Sequence, residues 1–165
     1  MDILRFFRKE QVDSVREVSL HTAGMRATHQ YVIKPESGQL RLERYREVFT
    51  DGQIRMVPEK SVMWETEALV ALMNECRVLR WDGFHGKHPR GVLDGIMFQF
   101  SATVNGGRTI RAQGSANFPK GYREFVQALD RSLAAESGHQ SCRRRNASPT
   151  KINPGAIHES PAGHY

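Results

Sequence analysis

The sequence predicts an α+β fold, in which an antiparallel sheet of about five to six strands carries two helices packed on one face. Apolar and polar residues alternate at every second position through much of the first half, which is typical of half-buried strands. Two later stretches repeat apolar residues with helical spacing. Strands and helices form separate runs, and that segregation indicates two packed layers. With 165 residues, 39% of them hydrophobic, the chain suits one globular domain.

Four strands precede the first predicted helix. They cover residues 15–21, 28–33, 39–50 and 54–57. Turn-forming residues separate them, since glycine, proline, aspartate and serine each favour tight turns for their own physical reasons. The fourth strand is predicted to end at Pro58, because proline cannot donate a ladder hydrogen bond.

The third strand requires a local irregularity. Leu40 and Leu42 share one face, whereas Tyr45 and Phe49 have the opposite parity. A β-bulge near residues 43–44 would turn both pairs inward, because one extra residue reverses the alternation of side chains.

The first helix is predicted over residues 61–76, with Ser61 as its N-cap. A hairpin follows at residues 97–114, and a second helix, introduced by Pro119, is expected to cover the buried face of that hairpin. The helical stripes comprise Leu69, Leu72, Met73 and Cys76 in the first helix and Tyr122, Phe125, Val126, Leu129 and Leu133 in the second, and the hairpin turns Phe98, Phe100, Ala102, Val104, Ile110 and Ala112 inward.

The C-terminal segment differs from the rest of the chain. Residues 137–165 show no periodicity and few apolar side chains, so they cannot bury enough surface to offset the entropy of ordering. We predict one domain over residues 1–136 and a disordered basic tail over residues 137–165. The chain carries a net charge of +6, and the arginine run 143–145 in the tail could contact nucleic acid weakly and with salt sensitivity.

Cysteine usage and hydropathy bound the location. Cys76 and Cys142 are too few for a disulfide framework, which indicates a reducing compartment. No stretch has the ~20 apolar residues of a transmembrane helix, and the first ten residues do not resemble a signal peptide. We therefore expect a cytoplasmic protein that makes no membrane contact.

The loop after residue 84 has the most site-like composition. His85 and His88 are three positions apart, and Asp82 and Asp94 flank them. Imidazoles and carboxylates bind zinc and related metals, so this set is the candidate for a metal-dependent enzyme. The spacing, however, matches no recognised zinc motif. The alternative interpretation is a solvated loop in which the two aspartates form hydrogen bonds with the backbone of turns. We expect no bound metal or cofactor.

Other residues of the sequence are weaker candidates for a functional site. His21 and His29 lie on neighbouring predicted strands and could face each other for acid–base work, but no nucleophile accompanies them. Cys76 closes a helical face and fits a small buried hydrophobe. Glu43 and Glu47 are interleaved with strand arginines, which predicts cross-strand ion pairs rather than a nucleic-acid surface.

The region from Trp81 to Tyr122, at the start of the second predicted helix, resembles a group of known proteins. The pattern Trp-x-Gly-Phe, Val-Leu-Asp-Gly, Phe-x-Phe, a glycine turn, Ala-x-Gly and a proline before a tyrosine resembles small bacterial α+β proteins with no assigned activity. The resemblance implies no catalytic residues. The residues that carry it are Trp81, Gly83, Phe84, Val92, Leu93, Asp94, Gly95, Phe98, Phe100, Gly106, Ala112, Gly114, Pro119 and Tyr122.

Together these observations favour a non-enzymatic domain that binds a small-molecule ligand or a protein partner. The alternatives are the metal-dependent enzyme and a nucleic-acid accessory protein that acts through its tail. Trp81 and Phe84 would anchor a contact because aromatic side chains dominate binding surfaces, although core packing is the commoner role of such residues. The predicted binding residues are Trp81, Asp82, Phe84, His85, His88 and Asp94.

Overall fold

The computed structural model describes residues 10–143, with residues 136–143 as helical backbone only. Within them, one seven-stranded sheet runs in the order β4-β3-β2-β1-β6-β7-β5, and two α-helices pack with it. The predicted α+β class is therefore confirmed. The elements are β1 Val15–Ala23, β2 Thr28–Glu36, β3 Gln39–Thr50, β4 Gln53–Trp64, α1 Thr66–Glu75, a short 3-10 helix Val78–Trp81, β5 Phe84–Gly86, β6 Met97–Val104, β7 Arg108–Ser115 and α2 Tyr122–Arg143.

The sheet is mixed, and it has seven strands where five to six antiparallel ones were expected. Neighbouring strands are antiparallel except at one edge, where β5 pairs with β7 in parallel. The missed strand is β5. It has only three residues and ends in glycine, so its pattern is too short to distinguish it from a loop.

Two glycines allow β5 to lie against β7. Gly86 and Gly114 are register partners, and the carbonyl oxygen of Asn117 lies over both of them. A Cβ atom on either glycine would overlap that oxygen, and one on Gly114 would also lie 2.7 Å from the ring of Phe98. The short edge strand therefore depends on the absence of side chains at both positions.

The boundary between β4 and α1 differs from the prediction. β4 passes through Pro58 and continues to Trp64, which is possible because β4 is an edge strand and proline needs no ladder donor there. The predicted strand end at Pro58 and helix start at Ser61 are both wrong. α1 instead follows Glu65, which makes no side-chain capping bond. Val62 and Trp64, which are two positions apart, both pack against the core. That spacing is typical of a strand and explains why this segment is not helical.

The irregularity predicted near residues 43–44 exists, but the extra residue is Glu59 of β4. β3 itself keeps its alternation, so its later aromatic residues do not turn inward. Tyr45 stays on the open face, where its hydroxyl donates to Glu43 at 2.8 Å. Phe49 is 75% exposed. The prediction that both join the core is therefore wrong.

The core lies on one face of the sheet. α1 and α2 pack on that face, and the inward residues of five strands meet them there. The predicted stripes are largely confirmed, since Leu69, Met73 and Cys76 of the first and all but Val126 of the second are buried. The buried apolar residues are Val12, Val15, Val18, Leu20, Tyr31, Ile33, Leu40, Leu42, Leu69, Met73, Cys76, Val78, Trp81, Phe98, Phe100, Ala102, Val104, Ile110, Ala112, Tyr122, Phe125, Leu129 and Leu133.

Trp81 joins the 3-10 helix, the sheet and α2. Its side chain is 1% exposed, and its ring meets Phe100 at 5.0 Å and Phe125 at 5.6 Å in edge-on geometry. The indole nitrogen donates to the carbonyl oxygen of Lys120 at 2.9 Å, so the polar atom of this ring is satisfied. Trp81 is thus a core residue, which corrects its prediction as a contact anchor.

A polar network fastens α2 to the sheet beside this core. The hydroxyl of Tyr31 donates to Asp130 at 2.9 Å, and Arg44 donates to the same carboxylate at 2.8 Å and to Glu59 at 2.9 Å. Burial, together with the charge of Asp130, raises the pKa of Tyr31 to about 12. The phenol is therefore held in its protonated form.

The end of the chain lies partly outside the description. α2 continues to Arg143, beyond residue 136 where we expected the folded part to end. Residues 144–165, which include most of the predicted tail, lie outside the described residues, as do residues 1–9. Among the helices of residues 10–143, none has the length and apolarity needed to cross a membrane.

We predict that Tyr31 makes stability fall at alkaline pH. Its ordinary pKa is 10.0 and its folded pKa about 12, so its contribution is complete below pH 10 and is lost as pH rises toward 12, because unfolding then releases a proton. Tyr31→Phe should cost about 1 kcal/mol at pH 8, measured by urea unfolding. The gap between wild type and variant should shrink by pH 11.5, and a gap that stays constant would contradict this account.

Candidate functional site

Two concave surfaces meet at one end of the sheet, separated by the loop 87–96. The first, which we call the polar groove, has a volume of about 520 Å³ and lies on the open face over β1, β6, β7 and β5. Four of its side chains form a row across those strands, since the register pairs His21 with Gln99, Gln99 with Gln113, and Gln113 with His85.

The second surface, the apolar cleft, lies on the helix-covered side and has a volume of about 490 Å³. The β1–β2 turn, the loop residues 94–96 and the first turns of α2 form its walls. Thr22, Gly24, Met25, Arg26, Ala27, His29, Tyr31, Asp94, Gly95, Ile96, Phe118, Tyr122, Arg123 and Val126 line it.

His88 holds the loop that divides these surfaces. Its Nδ1 lies 2.8 Å from the hydroxyl of Ser115 and its Nε2 lies 2.5 Å from the carbonyl oxygen of Val92. Since a carbonyl only accepts, Nε2 carries the proton and Nδ1 accepts from Ser115. Both ring nitrogens are therefore used in fixing the loop to the end of β7.

The Ser115–His88 contact brings a nucleophile and a base within hydrogen-bond distance, so we tested it as a catalytic pair. The partner that orients the imidazole is a backbone carbonyl, not a carboxylate. The amide that follows Ser115, that of Ala116, already donates to the carbonyl of Ile96 at 2.9 Å and is not free to stabilise an oxyanion. The contact is better explained as a structural link.

The remaining predicted loop residues have separate environments. Asp82 accepts from the backbone amide of Arg111 at 3.1 Å, so it bonds strand β7 and not the turn backbone that the sequence led us to expect. Phe84 is half-buried and packs against Phe98, with ring centroids 6.3 Å apart. His85 is exposed in the polar groove, where it bonds Gln113 at 3.0 Å.

Asp94 lies on the other side of the loop, in the wall of the apolar cleft. The structure therefore does not bring His85, His88, Asp82 and Asp94 together. Within residues 10–143, no three histidine, cysteine, aspartate or glutamate side chains are close enough to hold a metal ion. The predicted set offers no ready-made metal centre.

The two strand histidines are on opposite faces of the sheet. His21 pairs with Gln30 in the register, whereas His29 pairs with Thr22, and neighbouring positions of a strand point to opposite sides. His21 faces the polar groove and His29 the apolar cleft. The hypothesis that they face each other is therefore wrong.

Cys76 is a buried free thiol. Burial raises its pKa to about 11, and the nearby carboxylates of Glu124 and Glu75 act in the same direction. A thiol with so high a pKa is a poor nucleophile at neutral pH. This agrees with the prediction of a small buried hydrophobe.

Three of the strand arginines form ion pairs within the described residues. Arg41 lies 2.7 Å from Glu36 and 3.7 Å from Glu43, and Arg44 bonds two carboxylates. Arg108 pairs with Glu10. The expected ion pairing is therefore found at Glu43, which pairs with Lys34 and Arg41, but Glu47 forms no ion pair among the described residues.

The apolar cleft combines exposed apolar side chains with aromatic walls. Met25 is 81% exposed and Ile96 53% exposed. The rings of Phe118 and Tyr122 stack with centroids 4.7 Å apart. Solvent-exposed apolar groups around a concavity of this size are the usual composition of a ligand site.

Most cleft residues were not predicted from the sequence. Only Asp94 was among the predicted binding residues. Met25 and Arg26 lie between the first two predicted strands, where the sequence indicates only a turn. Arg123 follows Tyr122, the first apolar residue of α2. An exposed methionine in a tight turn was the available signal, but only the fold shows that this turn faces α2.

Comparison of the chain with protein-family models, curated proteins and solved structures finds no match. The resemblance to small bacterial α+β proteins therefore stays a prediction.

We predict that the two loop histidines differ in their effect on the loop. His88→Ala should remove two hydrogen bonds, lower the free energy of unfolding by about 1 kcal/mol and speed amide exchange across residues 87–96. His85→Ala is the matched control, because His85 makes one exposed bond and its loss should change both quantities little. Equal exchange in the two variants, followed by mass spectrometry, would contradict the role given to His88.

Proposed function

We propose that this protein is a non-enzymatic domain that binds a small molecule with an apolar body in the apolar cleft. The observation that carries the proposal is the composition of that cleft. It is mostly apolar, has a volume of about 490 Å³, and presents few polar groups. Ligand sites are typically concavities of ~300–1,000 Å³ with this balance, in which polar groups orient a largely apolar ligand.

The position of the cleft gives further support. It opens at the junction of three segments, namely the β1–β2 turn, the loop 94–96 and the start of α2. Loops held by a rigid scaffold are the usual place for binding residues. Here the scaffold is rigid on both sides, because Phe118 and Tyr122 stack on one another and His88 fixes the loop.

The absence of an assembled catalytic group favours binding over catalysis. In the described part of the chain, Ser115 and His88 form the one nucleophile–base contact that we found, and it lacks a carboxylate and a free oxyanion donor. The metal-dependent alternative loses support because its four residues are dispersed. The nucleic-acid alternative depends on the tail, and residues 144–165 lie outside the described residues.

The polar groove is the competing position for a ligand. It is slightly larger, at about 520 Å³, but its row of histidine and glutamine side chains lies on a sheet face that none of the described elements covers. A ligand there would stay largely solvated, whereas the cleft can enclose one between the turn and α2. The two possible ligand positions can be distinguished by experiment, because Ile96 lines the apolar cleft and its neighbour Met97 lines the polar groove.

A neutral fluorescent probe tests the proposal. N-phenyl-1-naphthylamine brightens in apolar surroundings and should bind the wild-type protein with saturable affinity. Ile96→Asn places a polar group in the cleft wall and should weaken binding roughly 5- to 20-fold, consistent with the loss of one buried apolar contact.

Met97→Asn is the matched control. Met97 is the next residue, is 56% exposed compared with 53% for Ile96, and faces the polar groove. Its substitution should leave probe affinity unchanged. Weaker binding in Met97→Asn with normal binding in Ile96→Asn would move the site to the groove, and no saturable binding by wild type would refute the proposal.

A further inference from the structure

The apolar cleft carries more positive than negative charge at its edge. Arg26 enters from the β1–β2 turn and Arg123 from the first turn of α2, and both are exposed residues of the lining. Asp94 is the one carboxylate among the lining residues. It forms no ion pair within 4.0 Å with either arginine.

Neither arginine has a carboxylate within 4.0 Å among residues 10–143, so both guanidinium groups are available to a ligand. Two unpaired guanidinium groups at one concavity produce a local positive potential, and a guanidinium binds a carboxylate through two parallel hydrogen bonds.

The start of α2 adds to this potential. A helix carries a partial positive charge at its N-terminus, and α2 begins at Tyr122 in the cleft wall. Arg123 in the same turn adds to that positive charge, whereas Glu124 beside it, which is outside the cleft lining, opposes it. An anionic group at the cleft edge would therefore be stabilised by the helix terminus and by the two arginines that line the cleft, against the exposed Asp94 in the lining and Glu124 outside it.

We infer that the ligand is an amphiphilic organic anion, with an apolar chain or ring system in the cleft and a carboxylate, or a similar anionic head, between Arg26 and Arg123. This inference rests on the proposed function and names its ligand class. The apolar lining formed by Ile96, Phe118 and Val126 receives the body, and the arginines at the edge receive the head. A chain of about ten carbons fits the enclosed space of a site of this size.

Three compounds with the same chain and different heads test the inference. Decanoate, 1-decanol and decyltrimethylammonium are each used to displace N-phenyl-1-naphthylamine from the wild-type protein. Decanoate should bind about 10-fold or more tightly than decanol, and the cation should bind most weakly. Added KCl should weaken decanoate binding and leave decanol binding unchanged, because salt screens charges at an exposed edge.

Substitutions locate the anionic head. Arg26→Gln and Arg123→Gln should each weaken decanoate binding roughly 3- to 10-fold, in line with the loss of one charge-assisted contact, with no effect on decanol. Arg131→Gln is the matched control, since Arg131 lies on α2 two turns later and outside the cleft.

The outcomes separate the two proposals. Equal affinity for decanoate and decanol, or preference for the cation, would overturn the anion inference while probe binding still supported an apolar site. Loss of decanoate affinity in Arg131→Gln as large as in Arg123→Gln would also overturn it. If neither the probe nor any of the three compounds binds, the proposed function itself fails.

Discussion

The structure depends on the burial of one sheet face against Trp81 and the helix that follows it. This ring contacts the interior strand β6 through Phe100 and α2 through Phe125, and its indole nitrogen fixes the chain at Lys120, just before α2 begins. Burial of large aromatic side chains is the main favourable contribution in a domain of this size. The path of the chain from residue 81 to residue 122 is therefore held at both ends by one side chain.

The candidate site is a consequence of that arrangement. Because α2 starts immediately after the Lys120 contact, its first turn lies over the β1–β2 end of the sheet, where it forms one wall of the apolar cleft. The loop 87–96 belongs to the same held segment, and His88 fixes it to Ser115. Within residues 10–143, no helix covers the other face of the sheet, which carries the histidine and glutamine row of the polar groove. We therefore propose the ligand site on the side of the sheet where packing of α2 creates the apolar cleft.

Periodicity was sufficient to predict the parts of the fold that follow from burial. Val18 and Leu20, the hairpin residues Phe98 and Phe100, and the stripe from Tyr122 to Leu133 except Val126 are buried as expected. These segments each face a single environment along their length, so local pattern and tertiary packing agree.

Prediction failed where tertiary contacts outweighed local pattern. The sequence predicts that the strand ends at Pro58. Because β4 is an edge strand, the missing backbone donor of proline costs little there. β5 exists because Gly86 and Gly114 permit a close approach, which no local pattern reveals. The cleft was missed for the same reason, since Met25, Ile96 and Arg123 are far apart in sequence and become neighbours only when α2 packs. The predicted binding residues stood out in the sequence by their composition. In the structure, however, Trp81 is in the core, His88 bonds Ser115 and the carbonyl oxygen of Val92, and Asp82 bonds the backbone amide of Arg111.

The most direct test of the central claim uses the methyl groups of methionine, of which the chain has six. Met25 lines the apolar cleft and Met97 the polar groove, so their methyl resonances report on the two surfaces separately. With ¹³C-methyl methionine and saturating N-phenyl-1-naphthylamine, our account predicts a large shift of the Met25 resonance and little change at Met97. A shift confined to Met97 would contradict it.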